Sequence, residues 1–437
     1  MGKIGVGLVG WGTVGCGVIQ TLRENADVIE SRLGARLELL RVADLDLERQ
    51  RPVSVPRQML TTRMEDILGD PEIQIVIELM GGLKAARTLI VSALENGKHV
   101  VTANKALLAH HGNELFALAR QKGLSLSFEA SVGGGIPIVK SLREGLAGNR
   151  ITTIFGILNG TANYILTRMS DNGLSFADAL KEAQSLGYAE ADPTLDVEGI
   201  DTAHKLAIAG AIAFGTPVQF DRVHTEGISK IDPVDIQFAE EFGYAIKLLA
   251  IARNVDGRLE MRVHPTLIPE NHVLAGVKGA YNAIHLEGNA VGDVMLYGMG
   301  AGMMPTGSAV VSDLIDAARD ILQGTPGRIP ALAFLPDRGQ KIEIKPVSDI
   351  STSYYFRFLA LDKPGVLSKI SGVLGSRGIS IAAVIQKGRH ADSVPIVMVT
   401  HEALESSVRE ALAEIDKLDL VLAPTTLIRI EDNASRV

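Results

Sequence analysis

Ile4-Gly-Val-Gly-Leu-Val9, followed at once by Gly10-Trp11-Gly12-Thr13-Val14-Gly15, sets a short apolar run against a G-x-G-x-x-G turn. The turn opens a segment of helical periodicity, Thr13 to Glu30. The three glycines serve different ends. The first permits a tight turn, the second lets the main chain approach a pyrophosphate, and the third lets the helix pack on the sheet. A helix starting there offers unpaired N–H groups and positive potential to phosphates. A purely structural turn uses the same glycines, so the surroundings decide. Leu37 to Ala43, Ile73 to Leu79, His99 to Thr102 and Leu124 to Phe128 are further apolar runs, and Leu89 to Leu94 and Ala106 to Gln121 read as helices between them. That alternation is the pattern of βαβ units on a parallel sheet. Gly10, Trp11, Gly12, Thr13, Val14 and Gly15 therefore read as a dinucleotide-binding turn. Trp11 occupies a variable position, where its main chain matters more than its ring. Cys16, just inside the helix, reads as a small packing residue.

The choice between NAD and NADP stays open. Asp44 and Asp46 follow the second strand and suit a free ribose 2′-OH, while Arg49 and Arg51 suit a 2′-phosphate. A solvated charged loop explains the two arginines equally well.

The chain has 437 residues, 46% hydrophobic and 22% charged, enough for two or three globular domains. Lys and Arg number 43 against 51 Asp and Glu, and the resulting net charge of −8 argues against nucleic-acid or anionic-membrane partners. One cysteine excludes a disulfide framework and fits a reducing compartment. No His-x-x-x-His or Cys/His set suggests zinc. The longest uncharged run, Val294 to Ser312, spans 19 residues but holds four glycines and Pro305, so it is expected to be a loop-rich buried segment. The N-terminus runs directly into strand-like sequence, and a cytoplasmic location is expected.

Three regions emerge from these patterns. Residues 1–139 are expected to form the Rossmann-type dinucleotide-binding domain. Residues 140–340, with Ala203 to Phe214 and Phe238 to Ala252 read as helices, are expected to form an α+β catalytic and dimerisation domain. Asp337 to Ile350 reads as a linker, and residues 352–430 carry a βαββαβ pattern with a helix from Pro364 to Gly375.

Further stretches carry more specific information. They are Thr102-Ala-Asn104-Lys105, Gly156-Ile-Leu-Asn159-Gly160-Thr161-Ala-Asn163-Tyr164, and Gly187-Tyr188-Ala-Glu190-Ala-Asp192-Pro193 with Asp196, Gly199, Asp201 and Lys205. Asp201 and Lys205 lie four apart, on one face of a helix whose other residues are mostly Ala, Leu and Ile. An exposed ion pair is worth little, but charges on a buried helix need partners or a function. An ammonium group can stabilise an alkoxide and supply its proton, and carboxylates recognise an α-ammonium group. Lys105 follows a strand that ends at the sheet edge where open α/β sheets bind ligands. His204 points away from Lys205 and reads as a packing or surface residue.

Together with the N-terminal turn, these stretches resemble homoserine dehydrogenase over residues 1 to about 335. Asp362-Lys363-Pro364-Gly365-Val366-Leu367 and the remaining C-terminal residues resemble an ACT domain, a small amino-acid-sensing module. The resemblance implies reduction of aspartate 4-semialdehyde to homoserine with NADPH or NADH, in the biosynthesis of threonine, methionine and isoleucine. It implies Lys205 as proton donor, with Lys105 sharing or supplying that role, and Gly187, Glu190 and Asp201 as substrate residues. Thr102, Asn104, Lys105 and Gly302 would contact the cofactor. A sodium ion would sit on Glu129 and the carbonyls of Val132, Gly134 and Ile136. Threonine is the expected allosteric ligand and a homodimer or homotetramer the expected assembly. A chain ending near Asp349 is expected to keep its activity and lose its threonine response. The rival reading is a non-catalytic sensor of redox state and amino-acid level. A closer rival, another ACT-bearing dehydrogenase, is opposed by the Asn159-Gly160-Thr161 and Glu190/Asp201/Lys205 sets.

Overall fold

The computed structural model describes residues 2–335, 338, 339, 342–387 and 393–432. The chain folds into two compact units, each assembled from separated segments. The first contains Met1–Gly160, Asp201–Val223 and Tyr281–Ile342, and the second Thr161–Ile200, His224–Ala280 and Glu343–Val437.

The first unit is built on six parallel strands: β1 (Gly2–Val9), β2 (Ala35–Ala43), β3 (Leu60–Thr61), β4 (Ile73–Glu78), β5 (His99–Thr102) and β6 (Leu126–Ser127). Their order, β3-β2-β1-β4-β5-β6, reverses direction between β1 and β4 and makes the Rossmann switch point there. Strands buried on both faces explain the unbroken Ile/Val runs. Helix α1 (Thr13–Glu24) follows the glycine turn. The helical segment read as continuous to Glu30 is in fact two helices, because Asn25 leaves helical geometry (φ −112°, ψ 23°) and Ala26–Leu33 starts anew.

The run Val294 to Ser312 is not a loop. It holds the end of a strand, Gly292–Met299, and the start of a 21-residue helix, Met303–Gln323. Glycines break the pattern only between the two, and Pro305 falls in the helix's first turn, where its missing N–H costs nothing. This helix lies directly on α1. A Cβ on Gly17 would stand 1.9 Å from the Met303 carbonyl oxygen, and one on Gly307 2.5 Å from the Gly17 carbonyl carbon. The strand pairs with Tyr281–Gly288, which in turn pairs with Ile151–Ile157.

In the second unit the segment read as a helix over Phe238 to Ala252 splits differently. A helix, Pro233–Glu241, opens with a capping box on Asp232 and ends before Gly243 (φ +79°), and Tyr244–Val255 is a strand paired along its length with Arg258–Pro269. An Ala/Leu/Ile run buried on both faces satisfies either periodicity, and only pairing distinguishes them.

The C-terminal βαββαβ pattern is present: Ser351–Leu361, helix Val366–Ser376, Ile381–Gln386, Ser393–Thr400, helix Glu405–Ile415 and Thr426–Ile430. Pro364 precedes the helix cap, Gly365 (φ +90°), instead of opening the helix. The last strand does more than close this module. It pairs in parallel with Arg258–Pro269 (Thr266 with Arg429, Leu267 with Ile430), so the module's sheet continues into the strands before it. Asp337, where the linker is expected to begin, lies outside the described residues. The later part of that stretch is stitched to Arg258–Pro269 as well, through Leu259 N to Glu343 O and Lys345 N to Leu259 O, both 2.9 Å. Among the described residues no helix is long and apolar enough to cross a membrane.

Candidate active site

The glycine turn has the shape that its sequence requires. Gly10 (φ +104°) lies so close to the end of β4 that a Cβ would stand 2.4 Å from the Leu79 carbonyl oxygen. Gly15 packs equally tightly on Gly10. Gly12, the N-cap of α1, faces open space and no side chain caps the helix, so the first-turn N–H groups at Thr13 and Val14 border a cradle that a Cβ on Gly12 would fill. That cradle fits a pyrophosphate. The Trp11 main-chain N–H donates to Asp44 Oδ2 (2.7 Å), and its buried ring carries the Arg51 guanidinium 4.3 Å above its centroid. Arg51 also donates to the Trp11 carbonyl (2.6 Å) and pairs with Asp44 Oδ1 (3.2 Å). The ring of Trp11 thus has a role that its variable position conceals.

Two strands along the same edge, β5 ends beside β4. The register pairs Val9 with Glu78 and Glu78 with Thr102, which sets the glycine turn and the Thr102–Lys105 segment roughly 10 Å apart at ~4.8 Å per strand. Glu78, which sequence reasoning missed, is fully buried between them. Its carboxylate accepts from Thr102 Oγ1 (2.6 Å) and from the N–H groups of Met80 and Gly81, and burial raises its pKa. Thr102 in turn accepts from Asn104 N, and the Asn104 side chain accepts from Leu107 N as the cap of helix Lys105–Lys122. Lys105 is therefore the first residue of a fixed helix. A carboxylate closing an otherwise apolar run was the signal for Glu78.

Lys105 meets the helix Ile200–Phe214. Its Nζ lies 3.0 Å from Asp201 Oδ1, and Lys205 Nζ lies 2.7 Å from Asp201 Oδ2. Lys205 also donates to the Leu158 carbonyl (2.6 Å), and Asn159 Nδ2 donates to Asp201 Oδ2 (2.9 Å). Asp201, Lys205 and Asn159 are buried, whereas the Lys105 side chain is 42% exposed. Burial opposes the Asp201 charge, but the two ammonium groups and the hydrogen bonds outweigh it and hold the carboxyl well below the usual range. A carboxylate bridging two ammonium groups, one buried and one partly exposed, can donate a proton and stabilise developing negative charge. His204 packs against His110 and Phe220 rings, and burial lowers its pKa to about 4.

Gly302 (φ +124°) caps the helix whose first residue, Met303, packs on α1 at Gly17. Glu129 is buried, with Oε1 accepting from Val139 N (2.9 Å) and Oε2 from Lys140 N (2.8 Å). Its main-chain N–H donates to Asp313 (2.7 Å), and burial together with the Asp313 charge raises the Glu129 pKa to about 7. Val132 and Ile136 are buried beside it, Ile136 O accepts from Ile138 N, and Gly134 (φ +59°) presses on the Gly300 carbonyl. Among the described residues no group of three or more His, Cys, Asp or Glu side chains could hold a metal ion.

Gly187 and Glu190 belong to the second unit. Gly187 (φ +76°) ends the turn after helix Phe176–Ser185, and the exposed Glu190 follows, its carbonyl accepting from Gln184 Nε2 (3.1 Å). Thr161 and Asn163 brace the same unit, through Thr161 Oγ1 to Tyr188 O and Asn163 Nδ2 to Gly279 O (2.9 Å).

Three family profiles match the chain: "Homoserine dehydrogenase, NAD binding domain" over residues 10–129, "Homoserine dehydrogenase" over 137–315 and "ACT domain" over 354–420. A homoserine dehydrogenase from Neisseria gonorrhoeae is 48% identical over 432 residues, 99% of each chain. A crystal structure of a homoserine dehydrogenase from Thiobacillus denitrificans superposes with a TM-score of 0.94 at 51% identity, covering 98% of each chain. A hyperthermophilic archaeal homoserine dehydrogenase in complex with NADPH superposes with a TM-score of 0.61 at 27% identity, over 72% of this chain and 97% of that one.

Proposed function

Because the chain belongs to the homoserine dehydrogenase family of NAD(P)-dependent oxidoreductases, we propose that the Lys105–Asp201–Lys205 cluster is where aspartate 4-semialdehyde becomes homoserine. The observation that carries this reading is the buried carboxylate bridging two lysines at the edge of the sheet that holds the glycine turn. A bound dihydronicotinamide supplies the hydride to the aldehyde carbon. Lys205 Nζ gives its proton to the carbonyl oxygen as charge develops there. Asp201 aims Lys205, and the partly exposed Lys105 stabilises the oxygen and connects the site to solvent. The test is homoserine-dependent reduction of NAD and NADP by the purified protein, run side by side. Failure with both dinucleotides would overturn the reading. Turnover with NADP is expected, since Arg51 neutralises Asp44 beside the ribose position and the archaeal relative holds NADPH.

Glu190 is assigned to the substrate's α-ammonium group. Replacing it by Leu is expected to raise KM for homoserine by about 10–150-fold, the worth of one charge-assisted hydrogen bond at ~1.5–3 kcal/mol. The side chain is exposed, so folding and the cofactor Kd should be unchanged. An unaltered KM would make Glu190 structural.

The Glu129 carboxylate and the Val132, Gly134 and Ile136 carbonyls are an all-oxygen donor set, suited to a hard monovalent cation. A sodium ion there would offset a buried charge that burial and Asp313 both disfavour.

The ACT module is assigned a regulatory threonine site at the start of helix Val366–Ser376, whose first N–H groups no side chain caps. Threonine is expected to inhibit the full chain with a coupling of about 1–3 kcal/mol. The absence of both calorimetric heat and inhibition with threonine would sink the assignment. The assembly in this reading is a homodimer or homotetramer. The exposed Tyr281, Met295, Tyr297 and Met299 on one hairpin face support a second copy of the chain as partner.

A further inference from the structure

Arg429, on the last described strand, is fully buried and ties together parts of the second unit that lie far apart in the chain. It donates to Glu226 through Nη1 (2.9 Å) and Nη2 (3.1 Å), and to Glu405 through Nε (2.9 Å) and Nη2 (2.6 Å). Arg409 adds a bond to each carboxylate, at 2.9 Å to Glu226 and 2.8 Å to Glu405. Glu405 also accepts from the Tyr354 hydroxyl (2.8 Å), and its main-chain N–H donates to the Ile350 carbonyl (2.9 Å).

Glu226 leads elsewhere. Its main-chain N–H donates to Val263 O (2.8 Å), and the next two residues form the floor of the Gly187–Gly199 loop. A Cβ on Gly227 would stand 2.4 Å from the Val197 carbonyl oxygen and 2.5 Å from Glu198 Cα, and Ile228 N donates to Val197 O (2.8 Å). Gly199 (φ +78°) rests on the Glu226 carbonyl, 3.3 Å from where its Cβ would be. The loop thus touches the main chain of Glu226 itself and of the two residues that follow it.

We propose that Glu226 is a positioning residue for substrate binding: held by Arg429 of the ACT module, it sets the placement of the Gly187–Gly199 loop and with it Glu190. The affinity for substrate then depends on the grip of Arg429 on Glu226. This rests on the assignment of Glu190 to the substrate. Burial opposes the Glu226 charge, but hydrogen bonds from His224 and Arg429 and the Arg429 charge hold its carboxyl far below the usual range, so the ion pair persists at working pH.

The experiment compares Glu226→Gln, Glu405→Gln and Glu190→Leu by homoserine KM, kcat, cofactor Kd and Tm. Glu226→Gln keeps shape and removes charge. Its homoserine KM is expected to rise about tenfold, as for one lost charge-assisted bond, with kcat and cofactor Kd within about twofold. Glu405→Gln takes the other carboxylate from the same arginine and is expected to lower Tm comparably while leaving KM alone. Equal KM shifts in both variants, or none in Glu226→Gln, overturn the proposal when Glu190→Leu itself raises KM. An unchanged KM in Glu190→Leu instead overturns the substrate assignment beneath it. Should Glu226→Gln not fold, Arg409→Gln at the half-exposed second grip carries the test. It is expected to raise KM by about two- to fivefold, the range of a partly exposed ion pair, and no rise there overturns the positioning role.

Discussion

Replacing Lys205 by Ala is expected to lower kcat by about 10²- to 10⁴-fold, the contribution of a positioned general acid. The cofactor Kd should stay near its starting value, because the glycine turn and Asp44 lie at the end of other strands. The fold should survive as well. Asp201 keeps Lys105 at 3.0 Å and Asn159 at 2.9 Å, so the substitution does not leave the buried carboxylate alone. Steady-state kinetics with homoserine, and cofactor titration, separate the two effects. A variant with near-native kcat would remove Lys205 from the proton transfer and hand the role to Lys105.

Cutting the chain after Asp349 is expected to abolish soluble, active protein. This revises the expectation, drawn from the sequence, that such a chain keeps its dehydrogenase activity. The cut strips the strand Thr426–Ile430 from the edge of Arg258–Pro269. Arg262, 1% exposed, loses Glu431 at 2.5 Å and among the described residues keeps only Glu260, at 3.3 Å, as a carboxylate partner, while Arg253 loses its bond to Glu431. Removing one partner of a buried pair costs about 3–5 kcal/mol, and a domain has only about 5–15 kcal/mol to lose. Soluble yield, Tm and activity of the truncated protein check this. A truncated chain with native Tm and kcat would show the module to be separable.

How far the sequence can be read depends on whether a feature is local. The glycine turn, its flanking strand and the face shared by Asp201 and Lys205 are written within a few residues, and the structure places all of them where the pattern indicates. The strand before Lys105 puts that residue at the sheet edge, but its contact with Asp201 is a tertiary fact. Tyr244–Val255 mimics a helix because an apolar run buried on both faces has no alternation to betray a strand. The helix Met303–Gln323 is hidden by Gly300, Gly302 and Pro305, which punctuate its start and not its interior. Glu78 looks like a simple strand terminus, since only its hydrogen bonds to Thr102, Met80 and Gly81 show what it holds. The pairing of Thr266 with Arg429 has no local signature at all.

That same pairing constrains the order in which the protein can be made. Leu267 meets Ile430 only after roughly 160 further residues have left the ribosome, about 8–30 s at ~5–20 residues per second. Until then Thr266 and Leu267 lack their partners on the edge that His224–Thr225 covers further along, and Arg262 and Arg253 are still without Glu431. An open strand edge is a template for the wrong partner, and contacts this distant in sequence form slowly. Synthesis of this chain therefore passes through an interval in which the first parallel sheet has all its strands available and the second unit is waiting for the final one.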